Sequence, residues 1–163
     1  MGHWTLHREV FALQLRNGAD GSIWHLSADF QHLYQWKGSG WNSPIKLFAR
    51  QISATRSGAP IHVGFNGQIY ILGRDGWSSI GEANASRVCV GADGRVWHVG
   101  RSAIYAWESG SWVQLDPWDS REGFPDPETC GYADEVAVDS NGQVWKRIGQ
   151  YVYSRDEMFE RQA

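Results

Sequence analysis

The fold is decided by a nine-residue stretch of the sequence, Gly91-Ala92-Asp93-Gly94-Arg95-Val96-Trp97-His98-Val99. Most of its positions are identical or conservatively exchanged in a stretch that starts 73 residues earlier, Gly18-Ala19-Asp20-Gly21-Ser22-Ile23-Trp24-His25-Leu26. A weaker copy, Pro60-Ile61-His62-Val63-Gly64, lies between them, and a fourth copy occupies residues 139–147. The chain therefore contains four related units with a period of about 36 residues, which is the signature of a repeat architecture.

Every unit carries the same order of markers. An aliphatic-Tyr pair follows each copy, at Leu33-Tyr34, Ile69-Tyr70, Ile104-Tyr105 and Val152-Tyr153, and an aromatic residue comes next, at Trp41, Trp77, Trp112 and Phe159. Short runs rich in Val, Ile, Trp and Tyr alternate with Gly, Asp, Asn and Ser, which predicts four short strands per unit joined by hairpins. The turn dipeptides Asp20-Gly21, Asn66-Gly67, Asp93-Gly94 and Asn141-Gly142 suit the positive φ of tight hairpins.

These features predict an all-β protein, a small β-propeller of about four four-stranded antiparallel blades. We expect a single domain over residues 1–163, with units at about 10–44, 45–81, 82–116 and 133–160 and an insertion loop at 117–132. Four blades make a small ring. We expect it to be completed either by the N-terminal strand Trp4-Thr5-Leu6 or by oligomerisation, since apolar end faces do not stay in water.

Composition excludes several classes of protein. Hydrophobic residues make up 42% of the chain and there are ten tryptophans, so the chain is not disordered. Fifteen basic and eighteen acidic residues give a net charge of −3 without a basic run, which argues against nucleic acid as a partner. No apolar stretch is long enough to insert into a membrane, and no signal peptide is evident, so we expect a soluble cytoplasmic protein, with non-classical secretion as the open alternative.

The sequence contains no pattern that is typical of a catalytic or metal-binding site. Carboxylates such as Asp20, Asp75, Asp93 and Asp139 occupy turn positions, where they are expected to cap backbone amides, and no paired carboxylates indicate a glycosidase. His25, His62 and His98 occupy equivalent places in three blades, where they are too far apart to share a metal. We therefore expect no enzyme activity, no cofactor and no metal. Cys89 and Cys130 are expected to be free thiols in a reducing compartment, or to form one disulfide if the chain is exported.

Two groups of tryptophans stand out. Trp24, Trp97 and Trp145 alternate with aliphatic residues, which favours packing between blades. Five others lie at strand ends near Gly or Ser turns, where a flat ring stays partly open to stack on sugar C–H faces while nearby polar side chains bind hydroxyls. The predicted ligand-binding residues are Trp36, Trp41, Trp77, Trp107, Trp112, Arg74 and Arg101.

The unit from Val88 to Trp112, with its Gly-Ala-Asp-Gly-x-Val-Trp-His-Val core and Ile-Tyr-x-Trp continuation, resembles the tectonin repeat. The resemblance spans about residues 10–160. Tectonin-family proteins are β-propellers, and several are lectins of innate defence that bind methylated or other bacterial surface glycans. The resemblance thus implies carbohydrate recognition in pockets between blades. The chain departs from the family in having four units, in the 117–132 insertion, and in Ile61 replacing Trp.

A protein-binding propeller, such as a scaffold, an inhibitor or an immunity-type protein, is the alternative. The insertion carries Trp118, Phe124 and Tyr132, and exposed aromatic residues of this kind dominate many interfaces. A lectin should show equivalent aromatic and polar sets in several blades, whereas a protein binder needs one loop and one face of the ring. The outer-strand Trp is repeated three times, which favours the lectin, but the flanking polar residues are not repeated.

Overall fold

The computed structural model describes residues 3, 7, 11–100, 103–115 and 133–155 of the chain. Within these residues every regular element is a β-strand, and the strands form four antiparallel sheets that follow one another as the blades of a β-propeller. The predicted all-β propeller is confirmed. No helix in these ranges is long and apolar enough to span a bilayer.

The strands of each blade follow the chain order. The first blade consists of β1 (Ala12–Asn17), β2 (Ile23–Ser27), β3 (His32–Gln35) and β4 (Ile45–Lys46). The second consists of β5 (Ala49–Ala54), β6 (Pro60–Gly64), β7 (Ile69–Gly73) and β8 (Gly76–Ser79). The third consists of β9 (Arg87–Val90), β10 (Val96–Val99), β11 (Ile104–Glu108) and β12 (Ser111–Leu115). The described part of the fourth consists of β13 (Glu135–Val138), β14 (Val144–Ile148) and β15 (Tyr151–Ser154).

The first hairpin of every blade turns through a glycine in the left-handed region. Their φ angles lie between +80° and +87°, at Gly21, Gly58, Gly94 and Gly142. A side chain is strained in that conformation, so glycine is required there. As predicted, the turn aspartates cap backbone amides: Asp20 Oδ1 accepts a hydrogen bond from the Ser22 N–H, and Asp93 Oδ1 accepts one from the Arg95 N–H, both at 2.9 Å.

Each blade has two different faces. We call the face that carries His25, His62 and His98 the leading face, because in the second and third blades it turns toward the preceding blade. The opposite, trailing face carries Trp24, Ile61, Trp97 and Trp145 at equivalent positions. The two faces alternate along a strand because successive side chains point to opposite sides of a sheet.

The core consists of three clusters, one between each pair of successive blades. Trp24, Leu26 and Leu33 of the first blade pack on Ala49 and Ile52 of the second. Equivalent clusters join the second blade to the third and the third to the fourth. A fully buried aliphatic or aromatic side chain contributes about 1.5–3 kcal/mol, so stacking of blades is the main source of stability. Trp24 and Trp97 lie buried between blades, as predicted.

Two glutamines connect the first strands of neighbouring blades. Gln51 Nε2 donates to the Val88 carbonyl at 3.1 Å, and its Oε1 accepts from the Val88 N–H at 2.7 Å. Gln14, at the equivalent position in the first blade, bonds in the same way to the Arg50 carbonyl and the Ile52 N–H. Each amide thus satisfies two backbone groups on the free edge of the next blade, a role that the sequence analysis missed.

The fourth blade departs from the expected packing. Trp145 was predicted to pack between blades, but it is 37% exposed because no further blade among the described residues covers the trailing face. Ala137, which lies directly opposite Trp145 on the same face, is also exposed. Strand β4, Ile45–Lys46, begins just after residue 44, the approximate end that we predicted for the first unit. The N-terminal strand Trp4-Thr5-Leu6, the insertion at 117–132 and Phe159 lie outside the described residues.

Candidate functional site

The leading faces of the first three blades carry the same arrangement of three rings. His62 stacks on Tyr70 with a centroid distance of 5.0 Å, and Trp77 meets the imidazole at 4.5 Å and nearly at right angles. The equivalent stacks are His25 with Tyr34 and Trp41, and His98 with Tyr105 and Trp112. The histidine and tyrosine are directly opposite each other on adjacent strands, which places their rings in contact.

These histidines are uncharged at neutral pH. Burial lowers the pKa of His62 from 6.5 to about 4, and burial also lowers the pKa of His98 to about 4, where the Val99 backbone opposes it weakly. Burial likewise lowers the pKa of His25. A charged imidazole loses its hydration in such a site, so the neutral form is favoured. The three imidazole rings belong to separate blades, and no group of three metal-ligating side chains occurs in the described ranges.

A cleft of about 390 Å³ opens between the first and second blades. The second blade provides the stacked rings of His62, Tyr70 and Trp77 at its base. Phe65 and Asn66, in the turn between β6 and β7, also line it. So do Leu47 and Phe48, which lie just before β5. The cleft is therefore a mostly aromatic groove with few polar groups, a composition common among ligand sites.

The two phenylalanines at the rim remain open to solvent. Phe48 is 67% exposed and Phe65 is 51% exposed, whereas the rings at the base are half-buried or buried. Phe65 packs edge-on against Phe30 of the first blade at 5.6 Å, and the Arg50 guanidinium lies 5.8 Å from the Phe65 ring. These contacts hold Phe65 upright at the rim and place one positive charge beside it.

The polar group of the cleft is preorganised. The Asn66 side-chain nitrogen donates to the Tyr70 hydroxyl at 2.9 Å, and its oxygen accepts from the Gln68 N–H at 3.1 Å. The Asn66 amide is therefore oriented by its own turn, which reduces the entropy lost when it binds a further hydrogen-bonding group. None of the eight lining residues is an aspartate or glutamate.

The predicted ligand-binding residues are distributed over three blades. Trp77 lines the cleft. Trp36 and Trp41 pack against each other on the first blade. Trp107 and Trp112 form a similar pair, but they pack against the cluster between the second and third blades, with Gly81 close above both rings. Arg74 lies in the turn between β7 and β8 and does not line the cleft.

Four predicted residues lie outside the described part of the chain. These are Arg101 of the ligand-binding set and the alternative partner-binding residues Trp118, Phe124 and Tyr132. Cys89 is free, as expected, and Cys130 also lies outside the described residues.

Sequence reasoning missed Phe48, Phe65, Asn66 and Arg50. A signal for one of them was present: Phe65 follows Val63-Gly64 at the place where the third unit has Arg101 after Val99-Gly100. An aromatic residue that interrupts a repeat inside a turn stands out from the pattern, so it could have been singled out as a surface feature. Phe48 could not, because its approach to the second blade depends on how the blades stack.

The protein is a β-propeller, because its antiparallel sheets stack in sequence order through their apolar faces. An aromatic cleft lies between the first two blades. Residues 48–119 match the family model of the tectonin domain. This match covers the second and third blades and confirms the tectonin resemblance there. No curated protein matches the chain in sequence.

Solved structures confirm the fold at low sequence identity. A structure described as YCF48 bound to D1 peptide has a TM-score of 0.65 at 14% identity, over 91% of this chain and 51% of that chain. Virginiamycin B lyase from Staphylococcus aureus has a TM-score of 0.60 at 16% identity, over 88% of this chain and 50% of that chain. A streptogramin B lyase structure has a TM-score of 0.61 at 14% identity, over 96% of this chain and 58% of that chain. The chain thus spans between half and three-fifths of the length of these propellers.

Proposed function

We propose that this protein is a non-catalytic glycan-binding propeller, and that the cleft between its first and second blades is a binding site. The observation that carries the proposal is the aromatic groove formed by Phe48, Phe65, Tyr70 and Trp77, with the oriented amide of Asn66 at its edge. The tectonin match of the two middle blades supports it, because several lectins are known in that family.

The chemistry of the groove suits a sugar. The apolar faces of a pyranose ring, or an added methyl group, can stack on the exposed rings of Phe48 and Phe65. The Asn66 amide and the Tyr70 hydroxyl can bond to sugar hydroxyls. The histidine at the base is neutral, so it can pack beneath a ligand without the cost of a buried charge.

Non-catalytic binding is also consistent with the lining residues. Glycoside hydrolysis ordinarily needs two carboxyl groups facing each other across the scissile bond. The residues that line this cleft provide aromatic, amide and imidazole groups instead. We therefore expect recognition of an intact glycan and no turnover.

Peptide binding is the second candidate, because two phenylalanines standing open at one rim are also typical of protein interfaces. The YCF48 structure similar to this chain is described as bound to a peptide. A peptide would use the same rings but would gain its specificity from backbone hydrogen bonds and from apolar side chains rather than from a sugar ring.

A glycan array followed by calorimetry tests the proposal. We expect wild-type protein to bind a subset of glycans, and Phe65→Ala to weaken that binding at least about tenfold, because a stacked aromatic ring is lost. Phe65 is exposed, so its truncation should leave the melting temperature nearly unchanged. Trp77 is a poorer choice, because it also packs in the core between the first two blades.

Tyr151→Ala is the matched control, since Tyr151 is a comparably exposed aromatic residue on the fourth blade and is remote from the cleft in the fold. Equal loss in both variants would contradict the assignment of the site. If no glycan on the array binds, and a peptide library yields peptides whose binding depends on Phe65, the protein is a peptide binder and not a lectin.

A further inference from the structure

The two ends of the row of blades expose surfaces that are buried everywhere else in the chain. On the leading face, Leu15 of the first blade corresponds to Ile52, Val88 and Val136 of the later blades. Leu15 is 59% exposed, whereas its three counterparts are at most 4% exposed. Ile23 shows the same contrast with Pro60, Val96 and Val144, all of which are buried.

The trailing face of the fourth blade shows the complementary pattern. Val152 corresponds to Leu33, Ile69 and Ile104, and it is 66% exposed where they are at most 2% exposed. Trp145 corresponds to Trp24, Ile61 and Trp97, and it is the exposed member of that set. Within the described part of the chain, the first blade thus presents an uncovered leading face and the fourth an uncovered trailing face.

We propose that a second copy of this chain covers these faces, so that the fourth blade of each copy packs head-to-tail on the first blade of the other and two copies close one ring. The interface would repeat the contact that the chain already makes three times between its own blades. Trp145 and Val152 of one copy would then lie against Leu15 and Ile23 of its partner.

The internal junctions indicate which partner would cover the two end faces. A trailing face packs on a leading face at each internal junction, and the unused leading face belongs to the same chain as the unused trailing face. A head-to-tail interface gives a closed ring when the rotation between copies closes. The chain covers 51% and 50% of the length of two similar solved structures, so a ring of their length has space for about one more set of four blades.

A polar contact also fits this arrangement. The Trp24 indole N–H donates to the Gly58 carbonyl in the first hairpin of the next blade, at 3.0 Å. The Trp145 indole instead donates to Asp139 within its own blade at 3.3 Å. In the closed ring, the carbonyl of Gly21, which corresponds to Gly58, is the group that the Trp145 indole N–H would reach in the other copy.

The mass of the wild-type chain in solution, measured by light scattering after gel filtration, tests the proposal. We expect twice the mass of one chain at micromolar concentration and above. Leu15→Asp and Val152→Asp should each give the mass of a single chain, because each places a charge in the apolar interface. Both positions are exposed within one copy, so each variant should keep the wild-type circular dichroism spectrum.

Mixing the two variants distinguishes head-to-tail contact from other dimers. The Leu15→Asp chain keeps an intact trailing face and the Val152→Asp chain keeps an intact leading face, so an equimolar mixture should recover a dimer joined at one interface. Val113→Asp is the control, because Val113 is exposed on the outer strand of the third blade, away from both end faces, and it should stay dimeric.

Three results would overturn the proposal. The first is a wild-type protein that has the mass of one chain at all concentrations. The end faces would then be covered by something other than a second copy. The second is a mass other than that of two chains. The third is a dimer that only one of the two end-face variants breaks, since that shows two like faces in contact.

Discussion

Acid should destabilise this protein in a window set by its stacked histidines. The pKa of His62 and that of His98 are about 4 in the folded chain and about 6.5 when the chain is unfolded. The unfolded state therefore binds more protons between these values, so stability is complete above pH 6.5 and falls as the pH decreases toward 4. For each histidine, the free energy of unfolding should decrease by about 2 kcal/mol between pH 7 and pH 5.

Together the two residues account for about 4 kcal/mol, a large part of the roughly 5–15 kcal/mol that stabilises an ordinary domain. His25 shifts in the same direction, because burial lowers its pKa too. The pKa values of Asp20, Asp29 and Asp139 are lowered in the folded chain. These carboxylates stabilise the fold above their usual pKa of 3.8 and lose that effect only below it, which lies outside this window.

Urea unfolding followed by tryptophan fluorescence at pH 7 and pH 5 measures the effect. We expect His98→Phe to reduce the pH dependence by about 2 kcal/mol, because Phe can stack on Tyr105 but cannot be protonated. Between pH 7 and pH 5 the wild type should therefore lose about 2 kcal/mol of stability relative to the variant. The reasoning fails if His98→Phe retains the full pH dependence, or if the wild-type stability is flat between the two pH values.

Two further predictions concern the interior. Gln51→Leu should lower the free energy of unfolding by about 3 kcal/mol, because the N–H and carbonyl of Val88 lose their partner, whereas Gln14→Leu at the more exposed equivalent should cost clearly less. Equal losses in urea unfolding would contradict this assignment. Burial, reinforced by the negative charge of Glu135, raises the pKa of the half-buried Cys89 thiol to about 12, so iodoacetamide at pH 8 should label the Cys89 peptide much more slowly in the native chain than after urea unfolds it, as mass spectrometry can show. Equal labelling rates in the two states would contradict this raised pKa.

The repeat carried most of the information about the fold. Strand alternation, turn glycines and the recurrent His, Tyr and Trp positions predicted blades, hairpins and an all-β propeller, because each of these depends on contacts within about 36 residues. Trp24 and Trp97 were placed correctly between blades because alternation alone assigns a side chain to one face of a sheet. The third unit, Val88 to Trp112, lies within the segment that matches the tectonin domain.

The candidate site was predicted less well. Trp77 was singled out and lies in the cleft, whereas Trp107 and Trp112, singled out by the same strand-end argument, pack beside Gly81. Position in a strand does not determine whether the neighbouring blade leaves a gap. Phe48 and Phe65 line the same cleft although they are 17 positions apart and belong to no shared motif.

The sequence alone therefore determined the repeated module, its strands and the chemistry of its two faces, since these follow from local spacing. Only the tertiary structure decided which faces are covered. Leu15 and Ile52 occupy the same place in the module, as do Trp97 and Trp145, yet one of each pair is exposed and the other buried. The physical reason is that burial depends on the presence of a neighbouring blade, and the repeated sequence is almost the same with or without one.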